Sequence, residues 1–272
     1  MIFLKNCSIR QELEILLCHV LQVERYFLKA HPEKLLSNYQ IKKFYKLVTR
    51  RLQHEPIAYI TGTKHFWDLN LLVNRNVLIP RSETEILVEQ ALAKLSTNSS
   101  AKILELGTGS GAVALSIAKH RPNTTVYATD LSTSALKLAK RNAKALNINN
   151  IIFFSGDWFK ALPPSLDFKF DLIISNPPYI AAAEVNLCDQ EIFYEPKLAL
   201  FADNNGLACL KKIIFDSVYY LANNGYLLLE HGYNQAIEVA NMLKKSGLIE
   251  PEYFKDLSSL DRVVVAKKVK YT

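Results

Sequence analysis

Four consecutive residues are best suited to chemistry in this chain: Asn176, Pro177, Pro178 and Tyr179, at the end of LIISNPPYI. The apolar run before them reads as the end of a strand covered on both faces. Two prolines, which lack an N–H, would stop that strand. Asn176 would then stand where a parallel strand ends, the place at which open α/β sheets bind ligands. An NH2 nitrogen whose lone pair is delocalised into a π-system is a poor nucleophile. Two acceptors aimed at its two N–H groups would orient it and stabilise a more pyramidal nitrogen. The side-chain oxygen of Asn176 is one such acceptor. The carbonyl of Pro177, fixed by Pro178, is the other, and Tyr179 offers a flat face. No strong base is needed, because an alkylated nitrogen of this kind is acidic and loses its proton to water. The logic fits an exocyclic amine of adenine or cytosine and equally the side-chain amide of glutamine. An isolated N-P-P run commonly does no more than end a strand, so the rest of the chain decides.

A second constellation is Glu105-Leu106-Gly107-Thr108-Gly109-Ser110-Gly111. Glycines here permit a tight turn and a close approach of backbone to ligand. Gly107, Gly109 and Ala112 fit a loose dinucleotide pattern, with Asp130 at a distance suited to a ribose. Glu105 argues against a pyrophosphate, whose charge a carboxylate would repel at a helix N-terminus. It suits a sulfonium and an ammonium group, and S-adenosylmethionine carries both. Asp130 could accept bonds from the ribose hydroxyls. Asp157 and Trp158, in the GDWF that follows the third strand of the array, could hold the adenine, although Trp158 suits core packing as well.

These residues need a scaffold, and the pattern after residue 100 supplies one. Strand-like runs are KILEL, TVYATD, IIFFS, FDLIIS, YLLLEHG, PEYFKD and DRVVVAKK. Helical stretches AVALSIAKH, SALKLAKRNAKAL and GLACLKKIIFDSVYYLA lie between the first five. The alternation predicts an α/β fold with a mostly parallel sheet wound by helices on both faces. Ahead of it, QELEILLCHVLQ and SNYQIKKFYKLVTRRLQHE have helical spacing, the second with Ser37 as N-cap. KHFWDLNLLVN and NVLIP read as two strands joined by a turn at Asn74-Arg75-Asn76. A helix is expected from Glu83.

The chain has 272 residues, 49% hydrophobic and 22% charged, which is globular composition. No apolar run is long enough to span a bilayer, and the first residues lack the features of a signal peptide. Four scattered cysteines, Cys7, Cys18, Cys188 and Cys209, read as free thiols in a reducing compartment, hence a cytoplasmic protein. Six scattered histidines argue against a metal site. The net charge of +7 is uneven: residues 1–81 hold 13 bases and 6 acids, while the remaining 20 bases and 20 acids cancel. The front of the chain is therefore expected to meet something anionic, although scattered charge is more commonly a solvated helix face.

The chain resembles the bacterial peptide chain release factor glutamine N5-methyltransferases. The likeness rests on EPIAYITGTKHFW, VLIPRSETEILVE, LELGTGSGAVALSIA, ATDLSTSALKLAKRNA, GDWF, FDLIISNPPYI, EPKLALF, LLLEHGYNQ and DRVVVA. It implies a class I S-adenosylmethionine-dependent methyltransferase with a Rossmann-like, mostly parallel seven-stranded sheet. A small N-terminal all-helical domain would be joined to it by a β-hairpin. The boundaries are then 1–62 for a helical substrate-recognition domain, 63–82 for the hairpin connector and 83–272 for the methyltransferase domain. By the same likeness, Gly107 to Gly111, Asp130, Trp158 and Asn176 would bind S-adenosylmethionine. Asn176, Pro177, Pro178 and Tyr179 would hold the glutamine of a Gly-Gly-Gln loop on release factors. Release factors are, as the likeness implies, large acidic proteins, so the basic front would dock the body of that substrate.

The chain departs from the family pattern in three places. Ser82 stands where proline is usual, Ala202 to Gly206 replace a Gly-Gly-x-Asp-Gly run, and Ser259-Leu260 replace Gly-Arg. A sister family that modifies a glutamine of a ribosomal protein shares N-P-P-Y, but IPRSETE and GDWF look closer to the release-factor type. A nucleic-acid adenine-N6 methyltransferase would suit the basic front. No long segment remains for base recognition, however, and no basic-aromatic insert is present, which argues against direct nucleic-acid binding.

Overall fold

The computed structural model describes residues 2–98, 100–187 and 189–269. It divides into two compact units, residues 1–63 with 189–194, and residues 64–188 with 195–272.

In the first unit, α1 (Ile2–Leu21), α3 (Asn38–Leu52) and α4 (Ile57–Thr61) enclose a small apolar cluster of Leu16, Val20, Leu47 and Ile60, and the short α2 (Arg25–Ala30) contributes no buried residue. Ser37 caps α3 through a reciprocal box: its hydroxyl accepts from the Gln40 amide, and the Gln40 side chain accepts from the Ser37 amide. Helices α2 and α4 are too short for a periodic signal. Arg50 makes a two-bond pair with Glu55 (2.7 and 2.9 Å), and Arg51 does the same with Glu12 (2.7 and 2.7 Å). Arg51 also pairs with Glu191 (2.7 Å), and the Tyr194 hydroxyl donates to the Gln53 carbonyl (2.7 Å), so residues 189–194 belong to this unit.

Strands β1 (Thr63–Phe66) and β2 (Leu69–Leu72) form a two-stranded sheet whose turn is Trp67-Asp68. This corrects the expected hairpin. Trp67 takes φ +54, a conformation that its residue type does not advertise. The Asn74–Asn76 turn exists, closed by the Val77 amide on the Asn74 carbonyl. However, the NVLIP segment after it forms no strand: the Ile79 N–H donates to the Glu195 carboxylate instead of a ladder.

The second unit continues with a 3-10 turn at Ser82–Thr84, then α5 (Glu85–Lys94), β3 (Lys102–Leu106), α6 (Ala112–His120), β4 (Thr125–Asp130), α7 (Thr133–Ala145), β5 (Ile151–Ser155) and β6 (Phe170–Ser175). It closes with α8 (Ala208–Tyr220), β7 (Leu221–Glu230), α9 (Ala236–Ser246), β8 (Ile249–Lys255) and β9 (Asp261–Lys267). Strands β3 to β9 form a seven-stranded sheet in the order β5-β4-β3-β6-β7-β9-β8. The first five run parallel, β9 is antiparallel to β7, and β8, antiparallel to β9, returns to the common direction. The apolar runs are unbroken because both faces are covered. Ile103, Val126, Leu172, Ile174, Leu228 and Val265 pack under α5, α6 and the end of α7. Leu104, Leu106, Ile173, Leu227, Leu229 and Val264 pack under α8 and α9. The strand order reverses between β3 and β6, which opens a crevice at their C-terminal ends. Cys18 and Cys209 are free thiols; the Cys7 and Cys188 side chains lie outside the described residues. No described helix is long and apolar enough to cross a membrane, and no group of three or more metal-ligating His, Cys, Asp or Glu occurs among the described residues.

Candidate active site

The glycine loop leaves β3 and is stitched to its neighbours. The Gly107 and Thr108 amides both donate to the Thr129 carbonyl at the end of β4 (2.9 Å each), and Asn142 of α7 donates to the Ser110 carbonyl (2.9 Å). Gly111, at φ +86, starts α6; a Cβ there would lie 2.8 Å from Leu115 Cδ1, so the position admits glycine alone without repacking. Asp130 ends β4. Its Oδ2 accepts from the Gly109 amide and its Oδ1 from the Ser132 amide (2.8 Å each). Burial pushes its carboxyl up, and these two amides hold it down. Asp130 therefore anchors the glycine loop and still has lone pairs for a ligand.

Glu105 points from β3 toward α6 and is buried. It accepts a short hydrogen bond from the Thr108 hydroxyl. Burial pushes its carboxyl up to about 8, with the Asp130 charge adding to the rise and Thr108 and the Ala114 amide opposing it. The charge that the residue type suggests is thus largely suppressed in the free protein at neutral pH. That is a consequence of burial, which the sequence does not reveal.

After β5, Trp158 takes φ +49, a strained setting for a bulky residue, and its ring lies against Gly107. The ring also packs on the α8–α9 side of the core, so it walls the crevice and fills the interior together. The Asp157 carboxylate pairs with Lys212 of α8.

Asn176 follows β6. Its Nδ2 donates to the Thr84 hydroxyl (3.0 Å). Among the described residues neither Asn176 Oδ1 nor the Pro177 carbonyl accepts a hydrogen bond, so both predicted acceptors are unengaged. Tyr179 is held at both ends. Its hydroxyl donates to Glu230 Oε1, and its carbonyl accepts from Gln235 Nε2 (3.0 Å each). Burial and the adjacent Glu230 push the phenol well above its usual range. Pro178 lies between these two anchored residues and is half-buried.

The three departures fall into the same frame. In ADNNG, Asn204 and Asn205 take the left-handed conformation (φ +55 and +54) that asparagine tolerates better than most residues. The one retained glycine, Gly206, is indispensable: a Cβ would lie 2.0 Å from the Tyr179 carbonyl oxygen. Ser259 (φ +63) sits in a turn held by Asp256, which accepts from the Ser258 and Leu260 amides and pairs with Arg262. Ser82 opens the 3-10 turn that carries Thr84.

Thr84, Glu230, Gln235 and Glu195 lie within motifs of the sequence, but residue type and spacing assign them no role; the fold brings them into this frame. Glu195 is buried, where it accepts from the Ile79 amide (2.9 Å) and pairs with Arg81. The available signal for Glu230 was an acid ending the apolar run LLLE, at the fifth strand end.

Comparison with known proteins fits this geometry. The PrmC N-terminal domain model matches residues 3–62, and the Methyltransferase small domain model matches residues 82–206. The release factor glutamine methyltransferase of Coxiella burnetii is 46% identical over 95% of this chain and 92% of its own length. That of Buchnera aphidicola from Acyrthosiphon pisum is 43% identical over 94% and 91%. A solved methyltransferase from Pyrococcus furiosus, 18% identical, shares the fold over 82% of this chain and 98% of its own, with a TM-score of 0.56. With a site at the switch point of a methyltransferase sheet and relatives this similar across nearly the whole length, the chain belongs to the release factor glutamine methyltransferase family.

Proposed function

We propose that the chain methylates the side-chain amide nitrogen of the glutamine in the Gly-Gly-Gln loop of peptide chain release factors. S-adenosylmethionine is the methyl donor and supplies an electrophilic methyl on a sulfonium. The residues present fit it: a glycine turn for close approach, a buried carboxyl at Glu105 for a cation, Asp130 for hydroxyls and the Trp158 ring as a wall. The observation that carries the reading is the pair of unengaged acceptors, Asn176 Oδ1 and the Pro177 carbonyl, beside that cradle. They would take the two N–H groups of the glutamine amide, turn its nitrogen lone pair toward the methyl and stabilise positive charge as it develops. Tyr179 would cover one face of the planar amide. Incubation with labelled S-adenosylmethionine and an isolated release factor, followed by mapping of the label, tests the function. Label on the Gly-Gly-Gln glutamine is expected, and label on nucleic acid or a ribosomal protein instead would refute it.

Glu105 sets a pH dependence for cofactor binding. The ionised carboxylate holds a cation, but the free protein keeps the proton until about pH 8. Binding therefore expels a proton, and affinity should rise up to about tenfold per pH unit below that value and level off above it. Calorimetry at pH 7 in buffers of different ionisation enthalpy should find close to one proton released, and Glu105→Gln should abolish the release. Affinity that is flat across the neutral range would refute this assignment.

The first unit would dock the body of the release factor and steer its approach. Arg50 and Arg51 are held in ion pairs within the unit, whereas Lys42, Lys43 and Lys46 make none among the described residues. Lys42→Glu, Lys43→Glu and Lys46→Glu together should raise KM for an intact factor severalfold and flatten its salt dependence, since screening acts over about 8 Å. Methylation of a short Gly-Gly-Gln peptide should barely change. Wild-type behaviour toward the intact factor would mean that these charges only solvate the helix.

A further inference from the structure

Two buried polar residues in the site are so far without a part in the reaction. Thr84 ends the 3-10 turn and lies 92 positions before Asn176, whose Nδ2 donates to its hydroxyl (3.0 Å). Glu230 ends β7, is 1% exposed, and accepts from the Tyr179 hydroxyl at Oε1 (3.0 Å). The Thr84 hydroxyl lies close enough to Glu230 to lower its carboxyl, yet Oε2 has no partner in hydrogen-bond geometry. The hydrogen-bonded pairs Asn176–Thr84 and Tyr179–Glu230 thus stand next to one another, with the Thr84 hydroxyl near the Glu230 carboxyl and Oε2 without a partner.

A hydroxyl carries a single proton, and an ionised carboxylate can only accept. With Glu230 ionised, Thr84 turns its proton toward the carboxylate and keeps only lone pairs for Asn176. Asn176 must then present its NH2 group to Thr84, which leaves Oδ1 facing the crevice beside the Pro177 carbonyl. With Glu230 protonated, the carboxyl can donate to Thr84, and Thr84 can donate to Asn176 Oδ1. The amide then turns over and offers N–H groups where the substrate needs an acceptor.

We propose that Thr84 and Glu230 are positioning residues that set the polarity of Asn176, through a hydrogen-bond relay whose direction the Glu230 carboxylate imposes. The proposal rests on the glutamine-amide reading above and adds to it which groups make Asn176 an acceptor. The surroundings put the relay near its balance point. Burial pushes Glu230 up to about 7, Glu83 adds to the rise, and the Thr84 and Tyr179 hydroxyls and Arg262 of β9 oppose it. His231, next in the chain, is pushed below its usual range by burial and stays neutral. The ionised form is the competent one, so turnover should rise with pH through about 7 and level off above it.

Single-turnover methylation of an intact release factor, with S-adenosylmethionine saturating at every pH so that Glu105 does not shape the profile, should be measured for Thr84→Val, Thr84→Ser, Glu230→Gln and Asn176→Ala, with cofactor affinity by calorimetry and Tm recorded for each. Thr84→Val keeps the shape and loses the hydroxyl. It should lower kcat by about 10- to 100-fold, the range for a lost outer partner of a site residue, with KM and cofactor affinity nearly unchanged. Thr84→Ser should restore turnover and the acid limb of the pH profile. In Thr84→Val and Glu230→Gln that limb should vanish. Should Thr84→Val prove unstable, the limb's loss in Glu230→Gln and its retention in Thr84→Ser carry the test. Wild-type turnover in Thr84→Val, a loss that serine does not repair, or an acid limb that persists in Glu230→Gln would overturn the relay. If Asn176→Ala is inactive while Thr84→Val is normal, the relay alone fails. If Asn176→Ala is also normal, the reading of the reaction fails with it.

Discussion

Asn176→Ala is expected to lower turnover by about 100-fold or more, the scale for losing one preorganised group aimed at charge that develops in the transition state. The variant removes the Oδ1 acceptor and leaves the Pro177 carbonyl to hold one N–H alone. It also frees the Thr84 hydroxyl, which the Asn176 amide engages at 3.0 Å. The loss should fall on kcat, because the interaction strengthens only as the nitrogen pyramidalises. Cofactor affinity should weaken far less, since the glycine loop and Asp130 are untouched. Single-turnover rates with a saturating release factor measure the first quantity and calorimetry the second. An alanine variant with near-normal turnover would remove Asn176 from the reaction.

Asp130→Ala is expected to weaken S-adenosylmethionine binding by about 1.5–3 kcal/mol, the range for a hydrogen bond to a charged group. That corresponds to roughly 10- to 150-fold in Kd. Two causes add. The variant loses the acceptor proposed for the ribose hydroxyls, and it releases the Gly109 and Ser132 amides that the carboxylate ties at 2.8 Å. Asp130→Asn separates them, because one amide oxygen can still accept from Gly109 while the second acceptor becomes a donor. Its affinity should fall between those of wild type and the alanine variant. An unchanged dissociation constant in Asp130→Ala, with Tm preserved, would rule the ribose role out.

Much of this protein was legible in its sequence. The inner strands β3, β6, β7 and β9 follow from the apolar runs in KILEL, FDLIIS, YLLLE and RVVVA, which a sheet covered on both faces requires, whereas the edge strand β8, IEPEYFK, is mostly exposed. Gly107 to Gly111, Asp130, Trp158 and Asn176 stand at successive strand ends, so strand–helix alternation alone brings them to one edge. Ser37 reads as a cap because capping is a matter of neighbours three residues apart. What the tertiary structure decided depends on burial and on partners distant in the chain. The hairpin turns at Trp67-Asp68, and Ile79, expected in its second strand, donates instead to Glu195, 116 positions away. Glu105 is largely uncharged at neutral pH because packing removes its water, an effect that residue type cannot carry. Arg50 and Arg51 look like part of a basic face, yet the fold pairs them with Glu55, Glu12 and Glu191. Asn176 advertises both an acceptor and a donor. Its NH2 group donates to Thr84, 92 positions away, and Oδ1 is left without a partner among the described residues, an arrangement that the four residues of the motif do not contain.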